Sequence, residues 1–133
     1  MTNLAIVVPC YNEEQVLPET ARRLSHLVKG LAVSGKISDG SRIYFVDDGS
    51  RDQTWPLIEQ LALADPIFKG IKLSLNRGHQ HALLSGLMNA EGDAVVSVDA
   101  DLQDDLEAIA EMLDSHSQGF DVVYGVRSRR DTD

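Results

Sequence analysis

The sequence is poor in cysteine, and it has no long hydrophobic run. Its single cysteine, Cys10, cannot form an intramolecular disulfide. No apolar stretch approaches the ~20 residues that cross a bilayer, and the N-terminus lacks the basic and apolar regions of a secretory signal. We therefore expect a soluble chain in a reducing, cytoplasmic compartment.

Positive charge is also scarce. Twelve Lys and Arg residues stand against 21 Asp and Glu residues, which gives a formal net charge of -9. Nonspecific binding to nucleic acid requires Lys and Arg to neutralise phosphates, so no nucleic-acid partner is expected. A phosphate-bearing ligand would have to be met locally, by a cation or by backbone amides.

What the sequence does contain is a set of short apolar runs rich in β-branched residues. The chain has 133 residues, 43% of them hydrophobic, which is typical of one folded domain. Runs without strict alternation predict strands buried on both faces of a sheet. Helical spacing between the runs predicts an α/β fold, with a mostly parallel sheet and helices on both faces. The predicted strands cover residues 4–9, 42–47, 70–75, 93–99 and 121–126.

Two signals predict where helices begin. Asn12, with Gln15 three residues later, has the spacing of a capping box. Pro18 and Pro56 suit the first turn of a helix, where the missing N–H costs nothing.

Polar residues collect after the predicted strands, and ligands of open α/β sheets bind outside the carboxyl ends of the strands. Helix capping or turn formation alone would explain an isolated acid such as Asp47 or Asp52. The grouping of these side chains at one edge of the sheet predicts a binding site there. The residues are Tyr11, Asn12, Glu13, Asp47, Asp48, Ser50, Asn76, Arg77, Asp99, Asp101, Gln103 and Arg127.

The stretch "VSVDADLQDD" carries the most specific signal. In an extended segment Asp99 and Asp101 project to the same side, roughly 7 Å apart. Like charges held this close resist ionising together unless a cation joins them. Mg²⁺ commonly takes one or two carboxylates together with substrate phosphates, and Gln103 adds a neutral oxygen. Such an ion could stabilise a leaving nucleoside diphosphate, so the stretch predicts transfer of a group from a nucleotide diphosphate.

Five blocks of sequence resemble glycosyltransferase family 2, in the family's order and over nearly the whole chain. The blocks are "VVPCYNEE", "VDDGSRDQT", "NRGHQHALLSGLMNAEGD", "VDADLQDD" and "DVVYGVRSRR". The combination of "DADLQD" and "YGVRSRR" is similar to the polyprenyl-phosphate glycosyltransferases, which include the dolichol-phosphate mannose synthases. The resemblance implies a GT-A fold and a hexosyltransferase. It further implies a UDP- or GDP-sugar donor, a lipid-phosphate acceptor, and Mg²⁺ or Mn²⁺.

The resemblance also implies roles for individual residues. Asp48 would bind the base edge, and Asp101 and Arg127 would be catalytic, with Arg127 facing a phosphate of the donor or acceptor. No general base is expected, because a lipid phosphate is already an anionic nucleophile. The implied nucleotide-binding residues are Pro9, Tyr11, Glu13, Val46, Asp48, Arg77, Gly78, Ala100 and Asp101, and the implied metal ligands are Asp99, Asp101 and Gln103.

We expect residues 1–133 to form one nucleotide-sugar-binding domain. The family continues beyond the fifth strand with an acceptor segment and, in this branch, often membrane helices. That part is expected to be absent here, and the full-length protein is expected to act at the cytoplasmic face of the membrane.

Two other functions fit parts of the pattern. "FVDDGS" is similar to the acidic pair of receiver-type signalling modules, which also bind Mg²⁺ at strand ends. A nucleotidyltransferase is a chemical alternative, although "PCYNEE" replaces its usual glycine-rich loop. Structural roles are favoured for four further residues. His79 and His81 point to different faces of a predicted helix start. Cys10 is expected to be a buried thiol and Trp55 a packing residue.

Overall fold

The computed structural model describes residues 3–73, 94–100 and 123–126. The described strands form one five-stranded parallel sheet in the order β3-β2-β1-β4-β5. This confirms the predicted α/β architecture with a parallel sheet. The elements are β1 (Leu4–Cys10), α1 (Leu17–Val33), β2 (Arg42–Asp47), α2 (Thr54–Ala64), β3 (Phe68–Lys72), β4 (Ala94–Val98) and β5 (Val123–Val126).

The third strand begins two residues earlier than the sequence pattern predicted, at residue 68 rather than 70. Phe68 is buried, pairs with Ile43 of β2, and places its ring 5.8 Å from that of Phe45. Packing on the neighbouring strand therefore extends β3 beyond the apolar run visible in the sequence.

Alternate residues of β1 and β2 belong to two different hydrophobic clusters, one on each face of the sheet. Ile6, Val8 and Phe45 pack with both described helices, on what we call the helix face of the sheet. Val7 and Val46 belong to a second cluster on the opposite face. Both strands are therefore buried on both faces, as predicted. The helices expected on the opposite face fall outside the described residues.

The predicted capping box at Asn12 is wrong. α1 begins at Leu17, and Val16 occupies the capping position without a side-chain hydrogen bond. The amides of Val16 and Leu17 both donate to the Glu13 carbonyl, at 3.1 and 3.0 Å. A backbone carbonyl thus accepts the hydrogen bonds of these two amides at the start of the helix. Asn12 lies earlier in the chain, with a left-handed φ of 52°.

Both prolines lie where they were predicted, in the first turns of helices. Pro18 follows the first residue of α1, and Pro56 is the third residue of α2. Neither position has an intrahelical acceptor for an N–H. Among the described residues, no helix is long and apolar enough to span a bilayer.

Candidate active site

Three neighbouring strands bring most of the described candidate residues to one edge of the sheet. Cys10 and Asp47 are register partners at the ends of β1 and β2, and β4 pairs with β1 on its other side. The loops after these strands therefore start side by side. The predicted site residues Arg77, Gly78, Asp101, Gln103 and Arg127 lie outside the described residues, as do His79 and His81.

Pro9 and Val46 are cross-strand partners. Val46 is fully buried in the cluster opposite the helix face. Asp48 follows two residues after Val46, is only 3% exposed, and donates its amide to the Cys10 carbonyl at 2.9 Å. Tyr11 is 42% exposed beside them. This part of the edge combines two buried apolar residues, a largely buried carboxyl group and an exposed aromatic ring.

A set of hydrogen bonds joins the loop after β1 to the loop after β2, and we call it the loop network. Ser50 Oγ accepts the Asn12 amide, and Asn12 Oδ1 accepts the Arg51 amide, both at 2.8 Å. Thr54 Oγ1 accepts the Glu13 amide at 2.8 Å. The left-handed backbone of Asn12 thus allows one residue to bond the second loop through both its amide and its side chain.

Asp52 completes the loop network from the second loop. Its Oδ2 accepts the Glu14 amide at 3.2 Å, and its Oδ1 accepts the amide and hydroxyl of Thr54 at 2.9 and 2.5 Å. Burial by itself would raise the pKa of Asp52, but the hydrogen bonds from Thr54 and from the Glu14 amide lower this pKa below its ordinary value. The turn role expected for Asp52 is confirmed, and the residue links the two loops as well.

Asp47 is the last residue of β2 and is fully buried. Its Oδ1 accepts the Ser50 amide at 3.2 Å, which confirms the expected turn role. Its Oδ2 is buried and has no hydrogen-bond partner among the residues that the structure describes. A buried oxygen without a partner is costly, so within the described ranges this oxygen of Asp47 does not stabilise the fold.

Cys10 is a packing residue. The thiol is 1% exposed and donates to the Val8 carbonyl at 3.3 Å. Burial raises its pKa well above the ordinary value, and the carboxylates of Glu13 and Asp47 raise the pKa further. A thiol that stays protonated is a poor nucleophile, so the predicted structural role is confirmed.

Trp55 is half-buried and packs against the core on the helix face, as predicted. Lys72 Nζ lies 5.6 Å from the centre of its ring. A side chain added at Gly70 would meet the Trp55 ring and the Ile58 side chain, at 3.1 and 2.7 Å. The Trp55 ring therefore fills the space between α2 and β3, and we assign it no role in the candidate site.

The end of β4 carries the first residues of the predicted metal motif. Asp99 is half-buried directly after the strand, and Ala100 is buried in the core cluster of the helix face. The hydroxyl of Thr20 in α1 donates to the Ala100 carbonyl. Within the described ranges no three potential ligands come together. The oxygen donors offered by Asp99, Asp101 and Gln103 nevertheless suit a hard divalent ion in their chemistry.

Sequence reasoning missed Thr20 and Thr54, and for Ser50, a predicted site residue, it did not foresee the hydrogen bond to the loop after β1. These side chains contact residues 38–80 positions away in the chain, and no local pattern reports such contacts. One usable signal was present, because Thr20 interrupts the apolar stripe of α1.

Comparisons with known proteins agree on the class of protein. The model of the family described as Glycosyl transferase family 2 matches residues 5–133. An uncharacterized glycosyltransferase of Bacillus subtilis, YkoT, is 47% identical over 132 residues, which cover 98% of this chain and 39% of that protein. The bactoprenol glucosyl transferase of Shigella phage SfV is 38% identical over 133 residues, covering 98% and 40%.

A third relative is the undecaprenyl-phosphate 4-deoxy-4-formamido-L-arabinose transferase of Pseudomonas syringae, 38% identical over 128 residues. The match covers 96% of this chain and 36% of the relative. The chain thus spans roughly two fifths of the length of the curated relatives described here.

Among solved structures, a mannosyltransferase from Pyrobaculum calidifontis, PcManGT, in complex with GDP-Man and Mn²⁺ is similar with a TM-score of 0.60 and 26% identity. The likeness covers 75% of this chain and 28% of that one. It confirms the predicted GT-A type of fold.

Proposed function

Since the chain belongs to glycosyl transferase family 2, we propose that it binds a nucleotide-diphosphate sugar whose sugar is passed to a polyprenyl phosphate. One observation carries the proposal: Pro9, Val46, Asp48 and Asp99 come from three adjacent parallel strands and reach the same edge. The mannosyltransferase bound to GDP-Man and Mn²⁺ supports the donor and the metal. The names of two relatives, a bactoprenol glucosyl transferase and an undecaprenyl-phosphate transferase, support the lipid-phosphate acceptor.

The donor nucleoside would lie on the floor made by Pro9 and Val46. The Asp48 carboxylate would accept a hydrogen bond from the base edge, and Tyr11 and Glu13 would flank the nucleoside. The loop network holds the loop after β1 in place without a ligand, so binding should cost little conformational entropy in this loop. Arg77 and Gly78 would approach the base from the segment after β3.

Asp99, Asp101 and Gln103 would hold Mg²⁺ or Mn²⁺. The ion supplies Lewis acidity that stabilises charge on the leaving diphosphate. The backbone of Ala100 would lie near the ribose or the diphosphate, between the two carboxylates.

Transfer breaks the bond between the anomeric carbon and the donor diphosphate, and it forms a bond from that carbon to an oxygen of the lipid phosphate. The acceptor oxygen is already ionised, so no side chain has to remove a proton. Asp101 would orient the donor, and Arg127 would neutralise phosphate charge as the two anions approach each other. We assign this reaction to the whole protein, at the cytoplasmic face of the membrane.

Thermal unfolding with UDP-Glc, UDP-GlcNAc or GDP-Man, each with Mn²⁺ or Mg²⁺, tests donor binding. We expect one sugar nucleotide to raise the melting temperature only when the metal is present. At a nucleotide concentration 100 times the dissociation constant, binding should raise the free energy of unfolding by about 2.7 kcal/mol. Asp101→Ala should abolish the gain, whereas Asp39→Ala, an exposed acid at the other edge of the sheet, should leave it unchanged.

Absence of stabilisation by all six combinations would contradict the proposal. Incorporation of phosphate from acetyl phosphate would instead favour the receiver-type alternative. None of the relatives described above bears the name of a receiver module or of a nucleotidyltransferase.

A further inference from the structure

Thr20 is a polar residue on the apolar stripe of α1. The stripe is otherwise made of residues such as Leu17, Ala21, Leu24 and Val28, and Thr20 is as buried as they are, at 2% exposure. A helical threonine commonly returns its hydroxyl to a carbonyl of its own helix. Here the hydroxyl instead donates to the carbonyl of Ala100, which lies 80 residues later in the chain.

The accepting carbonyl has a particular place in the sequence. It belongs to the peptide group that joins Ala100 to Asp101, at the centre of the motif Asp99-Ala100-Asp101. Ala100 is 3% exposed, so water has little access to this residue. Because a peptide group is rigid and planar, holding its oxygen restricts the direction in which the chain continues from Ala100.

We propose that Thr20 is a positioning residue for the metal-binding motif: its hydroxyl fixes the turn after β4 so that the acidic side chains of the motif are held ready for a divalent cation. The inference rests on the proposed function. Mg²⁺ in particular demands near-ideal octahedral geometry. A turn that has to be reordered at each binding event would weaken the apparent affinity for metal.

A simpler role would be to satisfy a buried carbonyl and nothing more. Ser41 provides the matched control for that role. It is also a buried alcohol at 2% exposure, and its Oγ accepts the amide of Leu4 at 2.8 Å. Ser41 lies at the opposite edge of the sheet, before β2, so its loss should lower stability without affecting the metal motif.

The first measurement uses the metal-free chain. Hydrogen exchange followed by mass spectrometry should show faster exchange in the peptide that covers residues 96–103 in Thr20→Val than in the wild type. Thr20→Ser, which keeps the hydroxyl, should restore the wild-type rate, and Ser41→Ala should leave this peptide unchanged. Equal exchange in Thr20→Val and the wild type would overturn the inference.

The second measurement titrates Mn²⁺ in the presence of UDP-Glc, UDP-GlcNAc or GDP-Man and follows the melting temperature. Loss of an outer-shell partner typically weakens metal affinity 10–100-fold, so Thr20→Val should need about tenfold more Mn²⁺ for half of the full stabilisation. Thr20→Ser and Ser41→Ala should keep the wild-type midpoint.

The two measurements separate the inference from the proposed function. A wild type that binds a sugar nucleotide with Mn²⁺, together with an unchanged midpoint in Thr20→Val, would overturn the inference and leave the function standing. A wild type that binds none of the three nucleotides would overturn the function. Exchange in residues 96–103 would then still decide whether Thr20 orders the turn.

Discussion

The two edges of the sheet use polar residues differently. At the amino edge, Lys29 pairs with Asp65 at 2.7 Å, and Ser41 Oγ accepts the Leu4 amide. Arg42 donates to the carbonyls of Asp39 and Ser41, at 2.9 and 2.8 Å. These groups satisfy backbone hydrogen-bonding groups and one another at the beginnings of the strands. A groove of about 440 Å³ lies beside them, and its lining includes Lys29, Ser41, Arg42 and Asp65.

At the carboxyl edge, carboxylates collect instead. Asp47 is fully buried with one oxygen unpaired within the described part of the chain, Asp48 is 3% exposed, and Asp99 begins the predicted metal motif. Burying carboxylates costs free energy unless other groups compensate. The comparison teaches that the amino edge uses polar groups in ion pairs and backbone hydrogen bonds, while the carboxyl edge buries carboxylates where the proposed binding site lies, and functional sites commonly carry such costs.

Asp48→Asn is the strongest test of this difference. The substitution replaces the proposed carboxylate acceptor for the base by a neutral amide, which keeps one acceptor oxygen and adds a donor. We expect the affinity for the sugar nucleotide to fall about 100-fold, or about 2.7 kcal/mol, with no loss of thermal stability. Calorimetric titration and melting curves measure the two effects. A variant that melts earlier but binds normally would reverse the roles of the two edges.

Thr54→Val breaks the loop network at its centre. The Glu13 amide loses its acceptor, and Asp52 loses one of its donors. With about 1 kcal/mol for each hydrogen bond, unfolding should become easier by about 2 kcal/mol, and binding of the nucleotide should weaken too. Denaturant unfolding measures the first effect. Unchanged binding would show that the loops need no tie between them.

Ser41→Ala should cost about 1–2 kcal/mol of stability, because it leaves the buried Leu4 amide without its side-chain acceptor. Affinity for the sugar nucleotide should not change, since Ser41 lies at the amino edge. Denaturant unfolding and calorimetry on the same preparation check both statements. Weaker binding in this variant would show that the two edges are coupled through β1.

Lys29→Met should have the smallest effect, below about 1 kcal/mol, because the pair with Asp65 is exposed and screened by salt. The hydrogen bond from Lys29, together with that from the Ile67 amide, lowers the pKa of Asp65 below its ordinary value of 3.8. The pair therefore contributes stability above that pH, and the contribution is lost as the pH falls through the lowered pKa. The difference in melting temperature between variant and wild type should therefore narrow as the pH falls from 7 to 3.

Much of this organisation was predictable from the sequence. The buried strands are continuous apolar runs, so the places where β1 and β2 end follow from the pattern to within one residue. The adjacency of Pro9 and Val46 depends on the strand order, which the pattern did not predict. Longer-range partners were not predictable. Asn12 has the right spacing for a capping box, but the Arg51 amide takes its side-chain oxygen. Ala100 has no polar side chain, so nothing in the local sequence indicates the hydrogen bond that its carbonyl accepts from Thr20.

Cys10 makes the opening of this sheet measurable. It is the only thiol in the chain, it is 1% exposed at the end of the central strand, and burial keeps it protonated. A maleimide or disulfide reagent can react with it only when that end of β1 separates from its surroundings. The rate of thiol labelling therefore reports local opening beneath the candidate site, without any engineered probe, and a bound sugar nucleotide should slow it.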